Sequence, residues 1–159
     1  MDELLTILKN NALEKPETIA RMLNLSVDEV KKRIAEYEQQ GVIRAYQAIL
    51  NVDQLDLNQV TAVIEVKVTP EREGGFNRVA SRISRFPEVQ SVYLMSGAYD
   101  LLLFVAGRNL KEVALFVSEK LATLDGVIST STHFMLKTYK HHGVLMETES
   151  ADERLQVSP

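Results

Sequence analysis

The chain has no cysteine in its 159 residues, which excludes disulfides and thiolate metal sites and suits a reducing cytoplasm. It has no basic stretch ahead of its first apolar residues, Met-Asp-Glu-Leu-Leu, so no secretory signal is expected. It has no run near the roughly 18 apolar residues that a bilayer crossing needs, so no membrane partner is expected. Basic charge is short as well: 18 Lys and Arg against 22 Asp and Glu leave a formal charge of −4. That balance argues against indiscriminate nucleic-acid binding and leaves room for a local basic face, which is what specific DNA binders use. Catalytic patterns are missing too. There is no Ser/His/Asp arrangement and no P-loop, and Gly74-Gly75 lacks the further glycines of a dinucleotide fingerprint. His133, His141 and His142 make a thin case for a metal without carboxylates at ligand spacing, so no cofactor is expected.

Among the features that are present, Val92 to Val105 stands out: two apolar runs meeting at Ser96-Gly97-Ala98-Tyr99-Asp100. This predicts a β-hairpin. Leu101, Leu103 and Val105 fall on one side of its second strand, Leu102 and Phe104 on the other. Both sides are apolar, so helices are expected over one and a second subunit over the other.

Before this stretch, apolar spacing predicts helices over residues 2–10, from Pro16 to Leu23, and from Ser26 to Gly41. Proline suits a first helical turn. Ser26 and Glu29 form a capping-box pattern, Val30, Ile34 and Tyr37 mark a buried stripe, and Gly41 supplies a stop. Three helices with a tight Asn24-Leu25-Ser26 turn make a helix-turn-helix over 1–50. Val42 to Tyr46 is expected as a wing or linker strand, and residues 51–59 as the linker. From 60 to 142 the chain repeats strand, helix, strand twice. This is the ferredoxin-like βαββαβ order, with both helices on one face of an antiparallel sheet. The open face is expected to carry Val63, Tyr93, Met95 and Leu102. Acids and bases nearly cancel up to residue 146. The acidic remainder, within 143–159, is expected to be disordered.

The third helix turns Asp28, Lys32, Ala35 and Gln39 outward, flanked by Lys31 and Glu36. Lys31, Lys32 and Arg33 suit phosphates or guanine edges in a major groove; the plain alternative is a solvated charged face. Asp28 and Glu29 favour the helix dipole while repelling phosphate, and a carboxylate there also accepts from the cytosine amino group. The candidate DNA-contacting set is Ser26, Asp28, Lys31, Lys32, Arg33 and Ala35. Arg78, Arg82 and Arg85 recur on one face of the next helix, most simply as a solvated face. Asp100, a carboxylate between apolar runs, needs a donor: either backbone amides of its own turn or a ligand ammonium. The hydroxyl-rich Ser129-Thr130-Ser131-Thr132 marks either an edge or a contact.

Leu25-Ser26 with Val30, Arg33-Ile34 and Glu38, then Gly41-Val42-Ile43, Tyr46-Gln47-Ala48 and Ser96-Gly97-Ala98-Tyr99-Asp100-Leu101, resemble the Lrp/AsnC family of transcription regulators over roughly residues 1–142. The resemblance implies an α+β chain, a winged helix-turn-helix followed by a βαββαβ half, that binds double-stranded DNA and is not an enzyme. It also implies a homodimer gathering into a tetramer or octamer, with an amino acid or related metabolite held near Ser96, Gly97, Ala98 and Asp100, and Ser131 and Thr132 as further candidates. The same two-part order also resembles sirohaem decarboxylases, in which the three histidines would have to face a tetrapyrrole pocket. A third reading is an effector-binding module with weak DNA binding.

Overall fold

A computed structural model describes residues 1–55, 58–70 and 75–147. The chain divides into two compact units, Met1–Leu50 and Asn51–Pro159. Among the described residues no helix is long and apolar enough to cross a membrane.

The first unit holds α1 (Glu3–Asn10), α2 (Pro16–Leu23) and α3 (Val27–Gln39). Leu4, Leu8, Ile19, Ala20 and Val30 are its buried core, with Ile34, Tyr37 and Ile43 packed against them. Pro16 opens α2, and Asn24 closes it at φ 53, a left-handed conformation that asparagine tolerates. Ser26 caps α3, its Oγ accepting from the Glu29 N–H at 3.1 Å. Only half of the expected capping box forms, because the Glu29 carboxylate pairs with Arg33 at 2.6 Å. At the other end, Gly41 adopts φ +71, its N–H donates to the Glu38 carbonyl, and the Val42 N–H donates to that of Tyr37, the double closure that ends many helices.

The expected wing is not a strand: residues 42–50 carry no regular secondary structure. The Val42 and Ile43 amides both donate to Tyr37, and the Tyr46 hydroxyl donates to Glu38 at 2.9 Å. These bonds hold the start of the segment against the end of α3, where it has no strand to pair with.

In the second unit β1 (Val60–Val68), α4 (Asn77–Ile83), β2 (Val89–Leu94), β3 (Leu101–Gly107), α5 (Leu110–Leu115) and β4 (Val127–Phe134) realise the βαββαβ order. The sheet is antiparallel in the order β2-β3-β1-β4. α5 runs on through Phe116–Leu121 as a wider π turn, and Phe116 meets Phe86 edge-on at 5.5 Å. Lys120 of this turn pairs with Glu88, at the foot of β2. The helix side of the sheet, Ala62, Ile64, Val66, Val68, Leu101, Leu103 and Val105, closes on Val79, Ile83, Val113, Phe116 and Leu121.

The chain does not fray at 143. β5 (Lys140–His141) and β6 (Val144–Leu145) form a small hairpin turning at His142 and Gly143, both with positive φ. Met146 is buried, and its carbonyl accepts from the Asn51 side chain at 2.6 Å. The rest of the expected disordered tail, 148–159, lies outside the described residues.

Candidate DNA-reading helix and effector turn

On α3 the inward stripe leaves Ser26, Asp28, Lys31, Lys32 and Ala35 exposed and Arg33 half-buried. The three cations are not equivalent. Arg33 is tied to Glu29 and Lys32 lies 3.9 Å from Glu36, whereas Lys31 has no carboxylate partner among the described residues. Exposed pairs one helical turn apart are worth only ~0.3–0.5 kcal/mol, so Glu36 holds Lys32 weakly. Arg33 is held more closely. Asp28, exposed on the same face, has no partner among the described residues.

A second tie steadies the helix from behind. Asp2 caps α1, with Oδ1 accepting from the Leu4 N–H, and its Oδ2 accepts from the Tyr37 hydroxyl. That hydroxyl, opposed by burial and helped by the Leu4 amide, holds the Asp2 carboxyl below its ordinary value, and the same bond raises the Tyr37 hydroxyl. Sequence patterning missed this link because Asp2 and Tyr37 are distant along the chain and each already has a local role, one as a cap and the other on the apolar stripe.

At the turn, Ser96, Gly97 and Ala98 are exposed and Asp100 is half-buried. Asp100 Oδ2 accepts from the Val68 N–H at 2.9 Å, so the carboxylate stands where a neighbouring strand's carbonyl would. Its own N–H donates to the Val66 carbonyl at 3.0 Å, and its carbonyl accepts from the Met95 N–H at 2.8 Å. The amide partner is therefore on β1 and not in the turn itself. Gly97 sits at φ +133 with open space where a Cβ would stand; backbone conformation, not crowding, calls for glycine there. Among the described residues, no hydrogen bond uses the N–H groups of Ser96, Gly97 or Ala98, and none uses Asp100 Oδ1.

The register separates Ser131 and Thr132 from this turn. Ser131 pairs with Glu65 and Thr132 with Ile64, so alternation puts them on opposite faces of the sheet. The β4 residue at the turn's end of the sheet is Ser129, opposite Lys67. The strand pattern alone cannot distinguish Ser129 from Ser131; the β1–β4 register, unbroken from Ala62↔Phe134 to Lys67↔Ser129, sets the pairing.

The open face reads in rows across the strands. Ser91, Phe104, Val63 and His133 form one row, and Tyr93, Leu102, Glu65 and Ser131 the next. Tyr93 meets Phe104 edge-on at 6.1 Å, while His133 lies 3.6 Å from Glu65. The expected apolar positions Val63, Tyr93 and Leu102 do occupy this face. It is mixed, however: Tyr93, Leu102, Phe104 and Val63 are apolar, whereas Ser91, Glu65, Ser131 and His133 are polar.

Residues 61–145 match the model of the Lrp/AsnC ligand-binding domain. The chain is 51% identical over 158 residues, 99% of its length and 95% of the relative's, to the HTH-type transcriptional regulator YugG of Bacillus subtilis. It is 34% identical to the HTH-type transcriptional regulator PH1916 of Pyrococcus horikoshii, covering 86% of this chain and 91% of that one. In structure it resembles the transcriptional regulator NMB0573 of Neisseria meningitidis, solved as a complex with L-Met, at a TM-score of 0.69 and 25% identity, over 89% of this chain and 93% of that one. With its helix-turn-helix unit and ferredoxin-like half, the chain belongs to the Lrp/AsnC family of DNA-binding transcriptional regulators.

Proposed function

We propose that α3 reads duplex DNA with Lys31 and Lys32 on phosphates and Asp28 and Ala35 toward base edges, and that an amino acid bound at the 96–100 turn shifts the assembly of the chain. The observation that carries the DNA half is the exposed face of α3, on which Lys31 has no carboxylate partner among the described residues. For the effector half, the turn offers three amide N–H groups and one carboxylate oxygen that no hydrogen bond among the described residues uses, a complement to the carboxylate and ammonium of an amino acid. The L-Met complex of the Neisseria relative supports that ligand class. An effector acts only by binding one assembly state better than another. A second copy over the open sheet face, in the cytoplasm and in dimers or larger assemblies, is the state the Leu102 and Phe104 side suits.

The position of the histidines favours the regulator over a tetrapyrrole enzyme. His133 lies on the open sheet face beside Glu65, and His141 packs on His142 at the terminal hairpin. The groove of about 910 Å³ beside Asn58–Val60 and Arg108–Lys111 is lined by none of the three. A coloured adduct on tetrapyrrole titration would overturn this assignment.

The test is binding of the whole protein to the DNA upstream of its own gene across a salt series, with and without a panel of amino acids that includes L-Met. Each phosphate contact contributes about 0.9 to the slope of log K against log salt, so Lys31→Ala with Lys32→Ala is expected to lower it by about 1.8. An unchanged slope removes both lysines from the interface.

A further inference from the structure

We infer that Lys67 holds the α-carboxylate of the amino acid whose ammonium Asp100 takes, with the Ser129 hydroxyl beside it; the inference rests on the amino-acid reading of the 96–100 turn above. Asp100 grips β1 on both sides of this lysine. Its N–H donates to the Val66 carbonyl, and its Oδ2 accepts from the Val68 N–H. Val66 and Val68 are buried in the core, so alternation sends Lys67 to the open side of the sheet, where it is exposed. On the other flank of β1, Ser129 of β4 pairs with Lys67 and is exposed as well. The register then skips Ile128, so a bulge lies directly beside this pair, and bulges bend a strand locally and re-aim its side chains.

The charges at this end of the sheet select the occupant. Lys67 and Asp100 are brought together from neighbouring strands and form no ion pair, and Lys67 has no carboxylate partner among the described residues. Glu65, the preceding outward residue of β1, lies 3.6 Å from His133 instead. Elsewhere in the unit Arg108, Lys120 and Lys137 each pair with a carboxylate. Asp100 is not free to swing toward Lys67, because its N–H, its carbonyl and Oδ2 are all bonded. A zwitterion resolves the mismatch. An α-amino acid carries both charges on one carbon: its ammonium complements Oδ1 of Asp100, and its carboxylate complements the Lys67 ammonium. Charge-assisted hydrogen bonds are roughly twice as strong as neutral ones, so Lys67 supplies what the uncharged amides of Ser96, Gly97 and Ala98 lack.

The test is calorimetric titration of the whole protein with each proteinogenic L-amino acid, and then with the α-amide of every one that binds. The amide keeps the ammonium and removes the carboxylate charge. Lys67→Met is expected to weaken binding of the amino acid roughly 10- to 100-fold and to leave affinity for its amide unchanged. Lys67→Arg, which keeps the charge, is expected to retain most of the affinity. Asp100→Asn weakens acid and amide alike, which keeps the turn reading separately testable. A Lys67→Met variant that weakens acid and amide equally acts through the strand and overturns the inference. Unaltered affinity also overturns it and leaves the turn with Asp100 as the site. So does a loss confined to amino acids with acidic side chains, because Lys67 then meets the ligand's side chain. Failure of wild type to bind any of the amino acids overturns both this inference and the amino-acid reading it rests on.

Discussion

At the scale of single residues, two carboxylates do more than their sequence neighbourhoods suggest. Asp100 supplies the acceptor for the Val68 N–H at the end of the sheet, so Asp100→Ala leaves a partly buried amide unpaired, at a cost of about 1–3 kcal/mol. Asp100→Asn keeps an oxygen for that amide but loses the charge that would hold an ammonium. Urea unfolding is expected to separate the two: Ala markedly destabilised, Asn near wild type, and both deaf to amino-acid effectors in the DNA-binding assay.

Asp2 makes its case through pH. Because its carboxyl is held below 3.8 in the folded chain, chiefly by the Tyr37 hydroxyl, the folded state binds fewer protons than the unfolded one in that window. The stability it contributes is complete above about pH 3.8 and is lost as pH falls through the lower folded value. Tyr37→Phe removes the bond, so the gap in stability between wild type and variant at pH 6 is expected to close below pH 4. A gap that persists unchanged into strong acid would show that Tyr37 acts through packing alone.

At the scale of elements, α3 is set by its ends as much as by its stripe. Ser26 satisfies the Glu29 amide, and losing such a cap typically costs about 1 kcal/mol. Ser26→Ala is therefore expected to lower the melting temperature of the first unit and to weaken DNA binding in proportion, whereas Ser26→Asp, also a good cap, restores the melt while adding charge that repels phosphate. Circular dichroism and binding measured together separate capping from contact. The segment after α3 teaches a complementary lesson. Val42-Ile43-Arg44-Ala45-Tyr46 has strand-like composition, but a strand needs a partner, and within the unit the backbone donors of Val42 and Ile43 are already taken by Tyr37.

For the whole molecule the open question is what covers the mixed sheet face. If a second copy covers it, Phe104→Asp places an unpaired charge in the middle of that contact. Such a change costs 2 kcal/mol or more at a central position, roughly 30-fold or more in dissociation constant. Sedimentation equilibrium is expected to show the variant as lone protomers at concentrations where wild type associates. Identical sedimentation of the two would remove the face from any interface.

The order of elements was legible from the chain alone because it rests on local rules. Proline at a helix start, serine before a capped turn, glycine after the last turn and the change from helical to alternating spacing each act within a few residues. The apolar side of the sheet was legible for the same reason, since alternation along β1 and β3 survives any choice of partner. Tertiary structure decided the matters that depend on residues remote in sequence: that Asp100 bonds Val68 on another strand, that Ser129 and not Ser131 lies level with the turn, that Asp2 holds Tyr37, and that Lys140 to Leu145 folds back as a hairpin. A chain's spacing encodes which side a residue faces; which residue it faces is fixed only when the strands choose their register and the helices close on them.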